Sequence, residues 1–118
     1  MIWIAVAAGG AIGSLLRYGL GLLANQPGWP WGTWLANGFG SFLIGLFYVW
    51  GKDKWPDACF LFLTTGLLGG FTTFSAFSLE GVQYILQGDA GKALLYVSAS
   101  VLTGLLAAWG GIGVGRLF

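Results

Sequence analysis

Charged residues are scarce in this chain of 118 amino acids. It contains five Lys or Arg, four Asp or Glu and no His, so 8% of its residues are charged, against about 25% in a typical soluble domain. Nine charges cannot cover the surface of a water-soluble fold in which 57% of the residues are hydrophobic. We therefore predict an all-α, multi-pass protein of the cell membrane, with one domain over residues 1–118 and the lipid bilayer as its solvent.

The residues that most enzyme and metal chemistry requires are also missing. With no histidine, and with Cys59 as the only cysteine, the chain cannot form an internal disulfide or a common zinc site. Cys59 has no base that could activate its thiol, so we do not expect an enzyme. A net charge of +1 excludes the basic surface that a nucleic-acid partner would need.

Glycine and long apolar runs are abundant instead. The 22 glycines follow no collagen-like period, and in membrane helices glycine allows close helix packing. Runs of about 20 apolar residues predict four membrane helices, over residues 2–24, 31–50, 58–86 and 93–114. The first run lacks the basic start of a signal peptide, so we expect it to remain as a helix.

The third of these runs is too long for one straight span. About 29 residues at about 1.5 Å each would reach roughly 43 Å, against a hydrocarbon core of about 30 Å. Its middle contains two glycines and two threonines, which are poor helix formers. We predict a break near residues 69–75, at mid-membrane, where irregular backbone survives only inside protein or beside water.

The positive charges on the two sides of these four spans are nearly balanced. One side carries Lys52, Lys54 and Arg116, and the other carries Lys92, with Arg17 near it. So weak a bias lets the chain insert in both orientations. It permits an antiparallel homodimer.

Five polar side chains fall at a similar depth in one half of the predicted bilayer. They are Arg17, Asn37, Glu80, Tyr96 and Ser100. Ionisable residues inside a membrane are functional candidates, because burying them costs several kcal/mol unless they are paired or hydrated. The alternative is a structural pair of Arg17 with Glu80 and hydrogen bonds that hold helices together.

Two helices carry polar stripes, and one carries a pair of phenylalanines. Residues at 33, 37, 41 and 45 share one face of the second helix, and Tyr96, Ser100 and Thr103 share a face of the fourth. Each stripe is either a packing face or a polar track, since isolated hydroxyls often bond to their own helix. Phe74 and Phe77 are either lipid-facing or turn positive ring edges to an anion.

Three motifs resemble the CrcB/Fluc family of fluoride channels. They are GGAIGSLLRY at 9–18, TWLAN at 33–37 with GSF at 40–42, and GLLGGFTTFSAFS at 66–78 followed by Glu80. The size and the four spans agree along the whole chain. The resemblance implies passive fluoride export through an antiparallel, dual-topology homodimer with two pores.

The same resemblance suggests roles for individual residues. Asn37, Phe74 and Phe77 would line a pore with Ser75 and Ser78 close by, while Thr33 and the track of Tyr96 and Ser100 would extend its polar lining. Arg17 would lie at the vestibule, and the carbonyls of Gly69 and Thr72 would hold a structural sodium ion at the dimer centre. One turn beyond Ser100 the sequence has Gly104 instead of a hydroxyl, and Thr103 is the candidate replacement.

Two other functions fit four short spans. A small drug/proton antiporter also has dual topology, but it needs a carboxylate in the first span, where this chain has Arg17. A structural subunit of a larger complex would neither transport ions nor dimerise on its own.

Overall fold

Four helical stretches joined by three short connections make up the chain, and the computed structural model describes all residues from 1 to 118. The stretches are α1 (Ile2–Ala24), α2 (Trp31–Gly51), a composite third stretch from Asp57 to Leu86, and α6 (Ala90–Leu117). Strands β1 (Asn25–Gln26) and β2 (Trp29–Pro30) form a small antiparallel hairpin between α1 and α2. The helix bounds match the predicted runs, except that α6 is longer by about three residues at each end.

Side chains in the connections fix where two of these helices begin. The carboxylate of Asp89 accepts a hydrogen bond from the backbone N–H of Lys92 (3.0 Å) and so starts α6 earlier than predicted. The amide oxygen of Asn25 accepts from the backbone N–H groups of Gly32 (2.6 Å) and Thr33 (3.2 Å). Asn25, in strand β1 of the hairpin, therefore caps the start of α2.

The outside of the molecule is apolar. Only 19 of 118 residues are buried, and large side chains such as Leu23 and Trp109 are 88% and 73% exposed. Three stretches are long and apolar enough to cross a membrane, namely Ile2–Ala24, Asp57–Leu86 and Ala90–Leu117. With 21 residues, α2 has sufficient length but is not among these three. Such a surface requires hydrocarbon as its solvent, so the chain is an all-α membrane protein.

The third stretch consists of several segments. It contains α3 (Asp57–Leu61), a π-helix (Phe62–Leu68), α4 (Gly69–Phe71) and α5 (Phe74–Leu86). Extended backbone is confined to Thr72 and Thr73, between α4 and α5. The interruption is thus narrower than the predicted 69–75, because the glycines stay helical and the β-branched threonines take the extended conformation. No sequence pattern predicted the π-helix.

Glycines bring α1 into backbone contact with the first half of the third stretch. A Cβ atom on Gly13 would overlap the carbonyl oxygen of Leu67, and one on Gly66 would lie 2.8 Å from the carbonyl oxygen of Val6. Gly9 and Gly70 are equally close to the opposite backbone. The glycine content therefore serves close helix packing, as the composition predicted.

Helices α2 and α6 form a second close pair. A Cβ on Gly45 would overlap the carbonyl oxygen of Ala108, and one on Gly111 would overlap that of Phe42. Gly38 lies beside Thr103, and residues later in α2 contact residues later in α6. The two helices therefore run in the same direction. The molecule therefore contains two tightly packed pairs, α1 with α3–α4 and α2 with α6.

We expect Gly13→Ala to lower the free energy of unfolding by about 1–3 kcal/mol, because the added methyl group forces α1 away from the Leu67 carbonyl. Gly19→Ala in the same helix is the matched control, since nothing lies within 4 Å of its Cβ. Thermal unfolding in detergent measures both. Equal melting temperatures for the two variants would contradict the packing assignment.

Candidate functional site

A groove with a volume of about 530 Å³, which we call the central groove, separates the two helix pairs near the interruption of the third stretch. Its polar lining comes from α2, the third stretch and α6, and consists of Asn37, Ser41, Thr64, Thr72, Thr73 and Ser100. Phe74 and Phe77 of α5 lie at the same groove. No Asp, Glu, Lys or Arg lines it, so the central groove is uncharged, with hydroxyl groups and one amide on a mostly apolar lining.

The Asn37 side chain is bonded to the interrupted backbone. Its amide nitrogen donates to the carbonyl oxygen of Thr73 (3.0 Å), and its amide oxygen accepts from the Thr73 N–H (2.7 Å). In a continuous helix that N–H would donate to the carbonyl of Gly69. Asn37 therefore supplies from α2 the bond that the helix has lost, and its second amide hydrogen is left for another acceptor.

The interruption also sets the start of α5 and the position of its phenylalanines. The hydroxyl of Thr73 accepts from the backbone N–H of Ala76 (3.1 Å), which caps α5. The rings of Phe74 and Phe77 lie 5.7 Å apart. Phe77 is half-buried and contacts the Tyr96 ring at 5.4 Å, whereas Phe74 is 79% exposed at the edge of the groove.

Glu80 is the centre of a hydrogen-bond network between three helices. One carboxylate oxygen accepts from the hydroxyl of Thr33 on α2 (3.0 Å), and the other accepts from the phenol of Tyr96 on α6 (2.9 Å). Both donors are buried, Tyr96 completely. The carboxylate is thus stabilised by two neutral donors, as a charge in an apolar setting requires.

Arg17 does not pair with Glu80, which was one of the two sequence-based interpretations. Its Nε donates to the carbonyl oxygen of Gly70 (3.1 Å), next to the end of α4. A cation is favoured there because the last carbonyls of a helix carry partial negative charge. Depth along the spans could not predict which partner Arg17 has. Arg17 and Glu80 lie on different helices at a similar level, so the sequence allowed them to pair.

The remaining candidate hydroxyls have different surroundings. Ser75 is exposed and shares a hydrogen bond with Thr73 (3.2 Å), and Ser78 is half-buried outside the central groove. Ser100 lines the groove, and its buried oxygen has no partner. Thr103 does not line the groove, because its methyl group lies against Gly38 of α2.

The two residues suggested as sodium ligands meet at the groove. Gly69 and Thr72 both line it. The Thr72 hydroxyl donates to the carbonyl of Leu68 (2.9 Å), while the carbonyl of Gly69 has lost its usual helical donor to Asn37. A carbonyl oxygen without a hydrogen-bond donor is a type of ligand that hard cations accept.

Three polar residues of the groove were absent from the predicted site, namely Ser41, Thr64 and Thr73. Ser41 lies one turn after Asn37 on the polar face of α2, so the i+4 spacing contained the signal. Thr64 lies in the π-helix, which the sequence pattern did not indicate. Thr73 enters the site through its backbone and its helix cap.

Comparison with known proteins decides the family. A family model described as CrcB-like protein, camphor resistance (CrcB), matches residues 4–112. The chain belongs to the CrcB family. One CrcB relative, from Hyphomonas neptunium, is 48% identical over 97% of this chain and 94% of its own length. Relatives from Thermus thermophilus and Bacillus subtilis are each 46% identical, over 96% and 98% of this chain and 94% and 88% of their own lengths.

The names of these CrcB relatives agree with one another. The Hyphomonas and Thermus proteins are named fluoride-specific ion channel FluC, and the Bacillus protein is named fluoride-specific ion channel FluC 2. The resemblance drawn from the three motifs is thus confirmed at the level of the family.

We expect Asn37→Ala to destabilise the protein by about 1–3 kcal/mol, because the N–H and carbonyl of Thr73 both lose their partner. Hydrogen–deuterium exchange should speed up at residues 72–76 and stay unchanged in α1. Ser98→Ala, an exposed hydroxyl truncation on α6, is the control. Unchanged exchange around Thr73 would show that Asn37 does not hold the interruption.

Proposed function

We propose that this chain is a fluoride-selective ion channel that lets fluoride leave the cell passively. The observation that carries the proposal is the uncharged central groove, in which an amide and phenylalanine rings meet at an interrupted helix. The names of its CrcB relatives support the same substrate. No bond is made or broken in this function, in agreement with the absence of a nucleophile–base pair in the sequence.

The chemistry of the central groove suits a small, strongly hydrated anion. A fluoride ion must exchange water for other hydrogen-bond donors, and these must not hold it with a full opposite charge. The second amide hydrogen of Asn37 and the free hydroxyls of the groove are such donors. The edges of Phe74 and Phe77 add partial positive charge. Glu80 would repel an anion in the groove, but it does not line the groove, and its oxygens are held by Thr33 and Tyr96.

We propose that the working unit is an antiparallel homodimer with two pores. Phe74 is 79% exposed at the groove, which leaves one wall open to lipid unless a second chain covers it. The weak charge bias allows both orientations in one membrane. In this arrangement α2 also crosses the membrane, which brings the number of spans to four. Thr72–Thr73 lies at mid-membrane, where the second chain shields its polar backbone.

A structural sodium ion at the dimer centre is part of the same proposal. Carbonyls of Gly69 and Thr72 from the two chains would face each other across a two-fold axis and repel unless a cation lay between them. The ion would only compensate the partial negative charges of these carbonyl oxygens. Asn37 supports this arrangement, since by binding Thr73 it leaves the carbonyl of Gly69 without a helical donor.

No observation favours the antiporter. That mechanism needs a carboxylate in the first span, and α1 contains Arg17 as its only charged side chain. Glu80, the carboxylate of α5, is bonded to Thr33 and Tyr96 rather than open to the central groove.

We expect purified protein in liposomes to release fluoride rapidly and to retain chloride, because chloride is too large and too weakly bonded to use the same donors. Ion-selective electrodes measure both anions after a potassium ionophore is added. Protein-free liposomes give the background. Equal release of the two anions would refute fluoride selectivity, and release of neither would refute the channel.

We expect Phe74→Ile to slow fluoride release by about tenfold, since the attraction between the positive ring edge and the anion is lost. Phe74 is exposed, so this change should leave stability nearly unaffected, whereas Phe77→Ile should also loosen the contact with Tyr96. Phe39→Ile on α2, at an exposed ring outside the groove, is the matched control. Wild-type release by Phe74→Ile would remove this ring from the pore.

A further inference from the structure

The hydrophobic core of the chain is small and consists mainly of aromatic rings, which we call the aromatic cluster. Its members come from the hairpin, α2, α5 and α6, and they are Trp29, Trp34, Phe77, Tyr84 and Tyr96. Phe77 is the only member that lines the central groove. The other rings can therefore affect the groove only through Phe77.

Tyr96 lies in the middle of the aromatic cluster. Its ring is 5.4 Å from the ring of Phe77 on one side. On another side it is 5.2 Å from the ring of Trp29, at an interplanar angle of 89°. Because Tyr96 is completely buried and its hydroxyl donates to Glu80 (2.9 Å), its ring has little freedom to move. Trp29, Tyr96 and Phe77 thus form a continuous contact from the hairpin to the groove.

Trp29 is the side chain by which the hairpin reaches the aromatic cluster. It begins strand β2 opposite Gln26, and it is half-buried, whereas residues 25–28 are all exposed. A tryptophan that anchors a protein at the membrane surface keeps its indole N–H among the headgroups. The indole nitrogen of Trp29 is instead buried and has no hydrogen-bond partner. The ring therefore serves packing against Tyr96 and not anchoring at the surface.

We propose that Trp29 is a positioning residue for Phe77 and acts through Tyr96. By packing edge-on against Tyr96, the indole holds that ring in the place where it supports Phe77. The orientation of Phe77 matters because only the edge of a ring carries partial positive charge, so the edge must stay turned towards the anion. Trp29 itself does not line the groove. This assignment rests on the proposed fluoride channel.

Fluoride release from liposomes by matched variants tests this role. We expect Trp29→Leu to slow release about fivefold, because Phe77 remains but is no longer held in one orientation. Trp29→Phe keeps a flat ring without the unpartnered N–H, and it should recover release to within about twofold of wild type. Trp3→Leu, at a tryptophan on α1 that is 89% exposed, is the matched control and should release fluoride at the wild-type rate.

A double-mutant cycle with Phe77→Ile shows whether Trp29 acts through that ring. If it does, adding Trp29→Leu to Phe77→Ile should slow release by less than about twofold more, because the ring that Trp29 positions is already absent. If the two effects multiply in the double variant, Trp29 acts elsewhere in the protein and the assignment is wrong. Wild-type release by Trp29→Leu alone has the same consequence.

A second measurement on Phe77 does not depend on fluoride transport. With para-fluorophenylalanine in place of Phe77, we expect the fluorine NMR signal of the purified protein to broaden or shift in Trp29→Leu but not in Trp3→Leu. An unchanged signal in Trp29→Leu overturns the positioning role, whereas no fluoride release by the wild type overturns the channel. If Trp29→Leu aggregates in size-exclusion chromatography, Trp29→Met replaces it, with the same expected results.

Discussion

The pair of hydrogen bonds between the Asn37 side chain and the Thr73 backbone is the interaction on which the rest of the site depends. An interrupted helix inside an apolar environment exposes N–H and carbonyl groups, each of which costs free energy if it stays unbonded. Asn37 satisfies both groups of one residue at once. This allows the chain to restart as α5 directly after Thr73, and the position of Phe74 and Phe77 follows from that restart.

The helices that carry Asn37 and Thr73 are each packed closely against a neighbour through glycines. Gly13 and Gly66 join α1 to the first half of the third stretch, and Gly45 and Gly111 join α2 to α6. Asn37 is the side chain that bridges the two pairs at the groove. Where α2 meets the break, Gly40 leaves room for the methyl group of Thr72. The central groove is what remains between the two pairs, which Asn37 joins at the interruption and Gly32 joins near the hairpin, where α2 lies against Gly21 of α1.

The sequence predicted the helices more fully than it predicted the site. Apolar runs located every helix to within about three residues, because membrane helices need about 20 apolar residues and leave little freedom. The interruption was predicted from poor helix formers, but its narrow extent depends on Asn37, a contact 36 residues away. The π-helix at Phe62–Leu68 has no pattern of its own. Arg17 and Glu80 were placed at the same depth, but a linear sequence does not tell which neighbour each one meets.

The hydrogen-bond partners of Arg17 and Glu80 explain why the central groove is uncharged. Arg17 binds a carbonyl near the end of α4, and Glu80 binds two hydroxyls on α2 and α6. Each charge is compensated locally by dipoles, so neither has to face the groove to be stable. A guanidinium in the groove would bind an anion too tightly to release it, and a carboxylate there would exclude it. In the proposed channel, amides, hydroxyls and ring edges would attract the anion weakly, and weak attraction of this kind allows selective passage without trapping.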